Sequence, residues 1–301
     1  MTTPLDPAFD DAPTVILPVR ERMDLVKVRV EFGALTHIGK VRSNNEDQYL
    51  IVRGTKALDV LGTSLPPEQS PHILSREGYF MMVADGMGGG PAGEVASALV
   101  VTETVKHLLE TAKWFFRLDD PDEAERIRLL REALQRMDDR LIKEGEHDPA
   151  VAGMGTTLTG VSIVGADVFI VHVGDCRAYL WRDGQLEQLT RDDTRAQELV
   201  ERGLLRPEDV RTHRLRHHLT NVIGGRRGVE GEMVKFRLLS GDRILLCTDG
   251  LHGPVPDPRI AEVLSRHSNP VQATQALIEA ALSEGGPDNI TVIVAACLLE
   301  E

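Results

Sequence analysis

Residues 79–97, YFMMVADGMGGGPAGEVAS, carry an apolar run that stops abruptly at a carboxylate and a cluster of glycines. Tyr79 to Ala84 read as a buried strand, because the run is short, almost wholly apolar and bounded by glycine on both sides. Asp85 then falls where the strand leaves the core. Pro91 suits the first turn of a helix, where its missing N–H has no intrahelical partner to lose. Gly86, Gly88, Gly89 and Gly90 leave the backbone free to bend and to come close to a bound ion.

The same pattern recurs outward from this stretch. ILLCTDG at 244–250 ends in Asp249 and glycine, and VFIVHVGD at 168–175 ends in Asp175. GGPDNITVIV at 285–294 is the mirror image, with Asp288 just ahead of an apolar strand. A single strand-end aspartate is more often a cap or turn former than a ligand. Four of them converging would repel one another strongly without a cation between them. All-oxygen ligation with no nearby Cys and no obligatory His points to Mg or Mn rather than zinc.

Composition narrows the classes. The 301 residues suit one large domain or two small ones, and 42% hydrophobic content supplies a core that Val, Leu, Ile and Ala must fill, aromatics being only 4%. A formal charge of -13 argues against a nucleic-acid binder and against attachment to an anionic membrane surface. Cys176, Cys247 and Cys297 are scattered among apolar residues and read as reduced core thiols, which fits a cytoplasmic setting. The acidic, proline-containing start is not a secretory signal, and no run approaches the ~18 apolar residues of a membrane helix.

In chain order, residues 1–25 read as a flexible N-terminal extension and 26–301 as the folded domain. Lys27 to Gly33 alternates as a half-buried strand, residues 54–78 read as a surface insertion, and 191–228 as an exposed flap subdomain. Two amphipathic helices are expected after the glycine cluster. The first runs from Ala92 to Trp114 with a stripe of Val95, Leu99, Thr102, Val105 and Leu109. The second runs from Asp122 to Lys143 with Ile127, Leu130, Leu134, Met137 and Leu141. Further strands follow, with a hairpin turn at Asp183-Gly184, then helices near 258–265 and 270–284 and a last strand from Asn289. Helices on either side of a block of strands predict an α+β fold: a four-layer α-β-β-α sandwich of two mostly antiparallel sheets flanked by helix pairs.

GKVRSNNED, ADGMGGGPAGEVAS, GMGTTL, VGDCRAYL, LTRDDT, CTDGL and GGPDNITVIV occur in this order along the chain. Together they resemble the metal-dependent Ser/Thr protein phosphatases (PPM, protein phosphatase 2C), most closely the bacterial members, over residues 30–299. The resemblance implies that Asp85 bridges two Mg or Mn ions, that the Gly86 carbonyl ligates the second, and that Asp249 and Asp288 complete the first. It further implies that Asp175 joins Asp249 at a third, weaker ion, that Arg42 binds the substrate phosphate, and that the outer-shell acids Glu46 and Asp47 hold metal-bound waters. Glu46 and Asp47 are neighbours, so on a strand they face opposite sides and only one can touch such water. The implied activity is hydrolysis of phosphoserine and phosphothreonine in proteins by a water or hydroxide bridging two ions, in a monomer opposing a Ser/Thr kinase. The alternatives are a catalytically silent regulator that binds phosphoproteins and a small-molecule phosphatase.

The sequence departs from the family pattern at Met87, where many relatives carry a proton-donating histidine, so that proton must come from a water or another group. Asp193 stands where His is usual, His217 where Asn is common and Asn221 where Arg is common. Two rival motifs also appear. Gly88, Gly90 and Gly93 fit a dinucleotide-binding spacing, but an aspartate ahead of them opposes a pyrophosphate. His213, His217 and His218 have zinc-like spacing, against which stands the plainer reading of a solvated or substrate-facing cluster.

Overall fold

A computed structural model of the chain describes residues 27–56, 76–88, 91–110, 123–225 and 228–300. The expected extension at 1–25, most of the insertion at 54–78, Gly89, Gly90 and the junction of the two expected helices lie outside the described residues.

Eleven strands are described: β1 Lys27–His37, β2 Asp47–Lys56, β3 Arg76–Met87, β4 Gly155–Thr156, β5 Leu158–Val164, β6 Asp167–Val173, β7 Arg177–Arg182, β8 Gln185–Gln188, β9 Glu232–Arg237, β10 Arg243–Cys247 and β11 Ile290–Glu300. The helices are α1 Ala92–Glu110, α2 Glu123–His147, α3 Arg195–Glu201, α4 Asp249–His252, α5 Asp257–Arg266 and α6 Pro270–Ser283. One sheet runs β1-β11-β10-β7-β8 and the other β2-β3-β5-β6-β9, with β4 paired to the end of β3. Every pairing is antiparallel. The dinucleotide reading fails on this topology, because β3 lies between antiparallel partners and no parallel βαβ unit follows it among the described residues.

Three apolar cores make the four layers. Between the sheets pack Val30, Met81, Val161, Ile170, Ile244 and Ile293. A second core joins the first sheet to α5 and α6 through Leu245, Ile260, Leu264, Leu277 and Val292. A third joins the other sheet to α1 and α2 through Met82, Val100, Leu134, Met137 and Leu141. Truncating a buried leucine such as Leu134 to alanine costs about 2–5 kcal/mol.

Two expectations need correction. The buried face of α1 is Ala92, Ala96, Ser97, Val100 and Thr104, with Val95 and Leu99 of the expected stripe packed at its margin and Leu109 73% exposed. Small residues win because α1 lies close against β2 and β3, where Gly93 faces the Glu46 carboxyl and Ser97 donates to the Glu46 carbonyl at 2.6 Å. Residues 54–56 and 76–78 are strand rather than insertion, paired as Gly54 with Gly78 and Lys56 with Arg76. The hairpin at Asp183-Gly184 has φ of 51° and 82°, the left-handed pair that a two-residue turn requires.

Candidate metal centre

Each acidic side chain of the centre sits where an element starts or stops. Asp85 lies near the end of β3, and Thr157 holds it from both sides: its Oγ1 accepts from the Asp85 N–H at 2.9 Å and its own N–H donates to the Asp85 carbonyl at 2.9 Å. Asp249 opens the one-turn helix α4, which the sequence reading lacked. Asp288 precedes β11 and accepts from Arg42 Nη2 at 2.7 Å. Asp175 follows β6 and is buried. Glycines allow these approaches. A Cβ on Gly86 would collide with the Gly93 carbonyl, and one on Gly250 with the Asn289 carbonyl.

Glu46, Asp85, Gly86, Asp175, Asp249 and Asp288 line one polar cleft of about 430 Å³, with Arg42 and Met87 on its wall. The expected site residues are thus gathered in one cleft, except Asp47. Asp47 is the first residue of β2 and lies beneath it, 3% exposed, where its Oδ2 accepts from Thr248 at 2.8 Å and Thr291 at 2.7 Å. Glu46 and Asp47 therefore take opposite sides. Thr248, Thr291 and Asn289 went unremarked in the sequence. Asn289 accepts from the Glu46 N–H at 2.8 Å and donates to the carbonyls of Ile38 and Asn44, tying the Arg42 loop to β11. Their signal was available in the TDG and DNIT stretches, as polar residues flanking a strand-end aspartate.

The charges oppose one another. Burial, then the neighbouring Asp47, Asp249, Asp175 and Asp288, pushes Asp85 well above the usual carboxylate range. Burial and Asp249 do the same to Asp175. Burial pushes Asp47 up to about 7 against the pull of its two threonines. Burial also acts on Asp249, but the His217 hydrogen bond and the neighbouring His252, His217 and Arg42 outweigh it and hold that carboxyl low. Oδ1 of Asp47 and Oδ1 of Asp249 are buried without a hydrogen-bond partner among the described residues. Crowded, under-satisfied carboxylate oxygens fit a hard divalent cation, which the donor set would hold largely through oxygen.

His217 was the unexpected member. Its Nδ1 lies 3.2 Å from Asp249 Oδ2, and ligand atoms of Asp175, His217 and Asp249 all fall within 4.8 Å of one another. His213 and His218 are outside this group.

Two antiparallel sheets between helix layers, with a carboxylate-lined cleft at their edge, are the architecture of the metal-dependent phosphatases. Residues 71–284 match the Protein phosphatase 2C family, and the chain belongs to it. It is 36% identical over 273 residues to the serine/threonine protein phosphatase PstP of Mycobacterium tuberculosis, covering 91% of this chain and 46% of that protein, so it spans about half of that relative's length. It is 30% identical over 264 residues to the protein phosphatase PhpP of Streptococcus pneumoniae, covering 87% of this chain and 96% of that one. A crystal structure of the PstP catalytic domain in complex with two manganese ions is similar at a TM-score of 0.68 and 34% identity, covering 90% of this chain and 100% of that one. No described helix is long and apolar enough to cross a membrane.

Proposed function

We propose that this protein is a metal-dependent phosphatase that removes phosphate from phosphoserine and phosphothreonine in proteins by direct attack of water, opposing a Ser/Thr kinase, and that it acts as a cytoplasmic monomer. The observation that carries this reading is the convergence of Asp85, Asp175, Asp249 and Asp288 with Arg42 in one cleft, in a chain of this family. The catalytic unit is residues 26–301, with 191–228 as a flap beside the cleft.

In this reading Asp85, the Gly86 carbonyl, Asp249 and Asp288 hold two Mg or Mn ions, and Asp175 with Asp249 holds a third. Such a pair of cations, when bound, supplies an acidified water and offsets negative charge at phosphorus. Arg42 takes the substrate phosphate, its guanidinium fork suited to two oxygens at once and its orientation fixed by the 2.7 Å bond to Asp288. Glu46, in the cleft wall, orients metal-bound water. Asp47, beneath the cleft, braces Thr248 ahead of Asp249 and Thr291 on β11, and so acts through the frame. Met87 has no proton to give, so water or another group protonates the leaving alkoxide.

The test is hydrolysis of a phosphothreonine peptide with Mn, with EDTA, and in Asp249→Asn. Activity that needs Mn, recovers when Mn replaces EDTA and vanishes in the variant supports the reading. Turnover that persists in Asp249→Asn overturns it. Phosphopeptide binding without turnover, across metals and pH, would instead favour the silent regulator.

A further inference from the structure

The three flap departures, Asp193, His217 and Asn221, belong to one construction. The Asp193 carboxylate accepts from the Gly174 N–H at 3.0 Å, one residue before Asp175, and from Asn221 Nδ2 at 2.8 Å. The backbone repeats the link. Thr220 N–H donates to the Asp193 carbonyl at 2.8 Å, and Arg195 N–H to the His218 carbonyl at 2.9 Å. At the far end, Thr156 and Ile223 exchange N–H···O bonds of 2.9 and 3.0 Å, and the Thr156 hydroxyl donates to the Asp85 carbonyl at 2.8 Å. The loop carrying His217 is therefore sewn, over the six residues after it, to the segments that carry Asp175 and Asp85. Its imidazole is held against Asp249 although its side chain is 53% exposed.

An imidazole nitrogen and a carboxylate oxygen at 3.2 Å need a positive centre between them, either a proton or a metal ion. The second acid, Asp175, lies within the same 4.8 Å group, which completes a three-donor face. Asp249 Oδ1 is a buried oxygen with no partner among the described residues, so this carboxylate has an oxygen left for a cation besides the one that faces His217. Nitrogen alters what such a site accepts. Mg holds to oxygen and keeps its waters, whereas imidazole favours first-row transition ions in the Irving–Williams order.

We propose that Asp175, Asp249 and His217 together hold one divalent transition-metal ion, with His217 Nδ1 as its nitrogen ligand. The third cation of the centre is then selected by a mixed nitrogen and oxygen set, Mn over Mg, and fastens the flap loop to the cleft. This rests on the phosphatase reading for the other two ions. Asp193 and Asn221 are positioning residues that aim the imidazole.

The experiment is pulsed electron paramagnetic resonance of the full chain loaded with Mn, prepared with ordinary and with ¹⁵N-imidazole histidine, beside calorimetric titration of Mn against a Mg background. A histidine nitrogen coupling is expected in the wild type and absent in His217→Ala and His217→Asn. The weakest Mn site should lose affinity on the order of tenfold in both variants while the tighter sites keep theirs. Asp193→Ala, with the ligands intact, should diminish the coupling. A fully loaded wild type with no histidine coupling, or a coupling that survives both His217 variants, overturns the assignment. Phosphopeptide hydrolysis by the same Mn-loaded sample separates the two ideas. Activity without coupling defeats this inference alone, whereas failure to turn over or to bind two tighter Mn ions defeats the reading beneath it.

Discussion

Asp85→Asn should make the metal-free protein more stable at pH 8 and remove its response to Mn. Asp85 lies directly opposite Asp47 in the β2–β3 register. Opposed antiparallel residues have Cβ atoms about 5 Å apart, and two unit charges at that distance repel by ~3 kcal/mol at an effective dielectric of about 20. Asp249, Asp175 and Asp288 add to the repulsion. Asp85 is itself pushed well above the usual carboxylate range and so is not fully charged, which leaves a net relief of about 1–2 kcal/mol, or roughly 2–4 °C in Tm for a domain of this size. Wild type at a Mn concentration of about 100 Kd gains ~2.7 kcal/mol, and the variant should gain little. The pH dependence has a definite sign. Folded Asp47 holds its proton to about 7 while an unfolded aspartate releases it near 4, so that stabilising contribution is complete below about pH 4 and is lost as pH rises through about 7. Metal-free wild type should therefore melt lower at pH 8 than at pH 6.5, and Mn should raise its Tm most at pH 8. Scanning calorimetry with EDTA or Mn at both pH values measures all of this. A metal-free variant that melts below wild type at pH 8, yet responds equally to Mn, would refute the electrostatic account.

Three other outcomes follow from named contacts. Arg42→Ala should raise the KM for phosphopeptide more than it lowers kcat, and an unchanged KM in steady-state kinetics would remove Arg42 from phosphate binding. Arg177→Ala strands Asp192, whose side chain is 10% exposed and accepts bonds of 2.8 and 2.7 Å from that guanidinium. The expected loss is about 3–5 kcal/mol in urea unfolding, and a loss under ~1 kcal/mol would mean that water rescues the carboxylate. Gly86→Ala drives a methyl into the Gly93 carbonyl and should cost about 1–3 kcal/mol together with Mn binding, so calorimetric Mn affinity equal to wild type would argue against Gly86 as a ligand position.

Much of this was readable from the chain because the signals were local. Asp85, Asp249 and Asp288 each touch an apolar strand and a glycine or turn, so period and charge together announce them. The face of α1 was legible in part: Val95 and Leu99 do pack against the core, but close approach to β2 and β3 centres the buried face on Ala92, Ala96 and Val100. Asp47 looked like a companion of Glu46, and only the packing of the two sheets reveals that its partners are Thr248 and Thr291. His217 looked solvated among arginines and histidines. Its approach to Asp249 depends on a loop held by Asp193 and Asn221, a link across 28 residues that no period records.

The last strand has a bearing on biosynthesis. β11 lies between β1 and β10, and the bond from Arg42 to Asp288 spans 246 residues. A nascent chain still lacking those late residues has a split first sheet, neither Asp288 nor Asn289, and no Thr291 for Asp47 to grip. Newly made polypeptide should therefore gain its complete carboxylate cleft only after β11 has emerged from the ribosome and paired between β1 and β10.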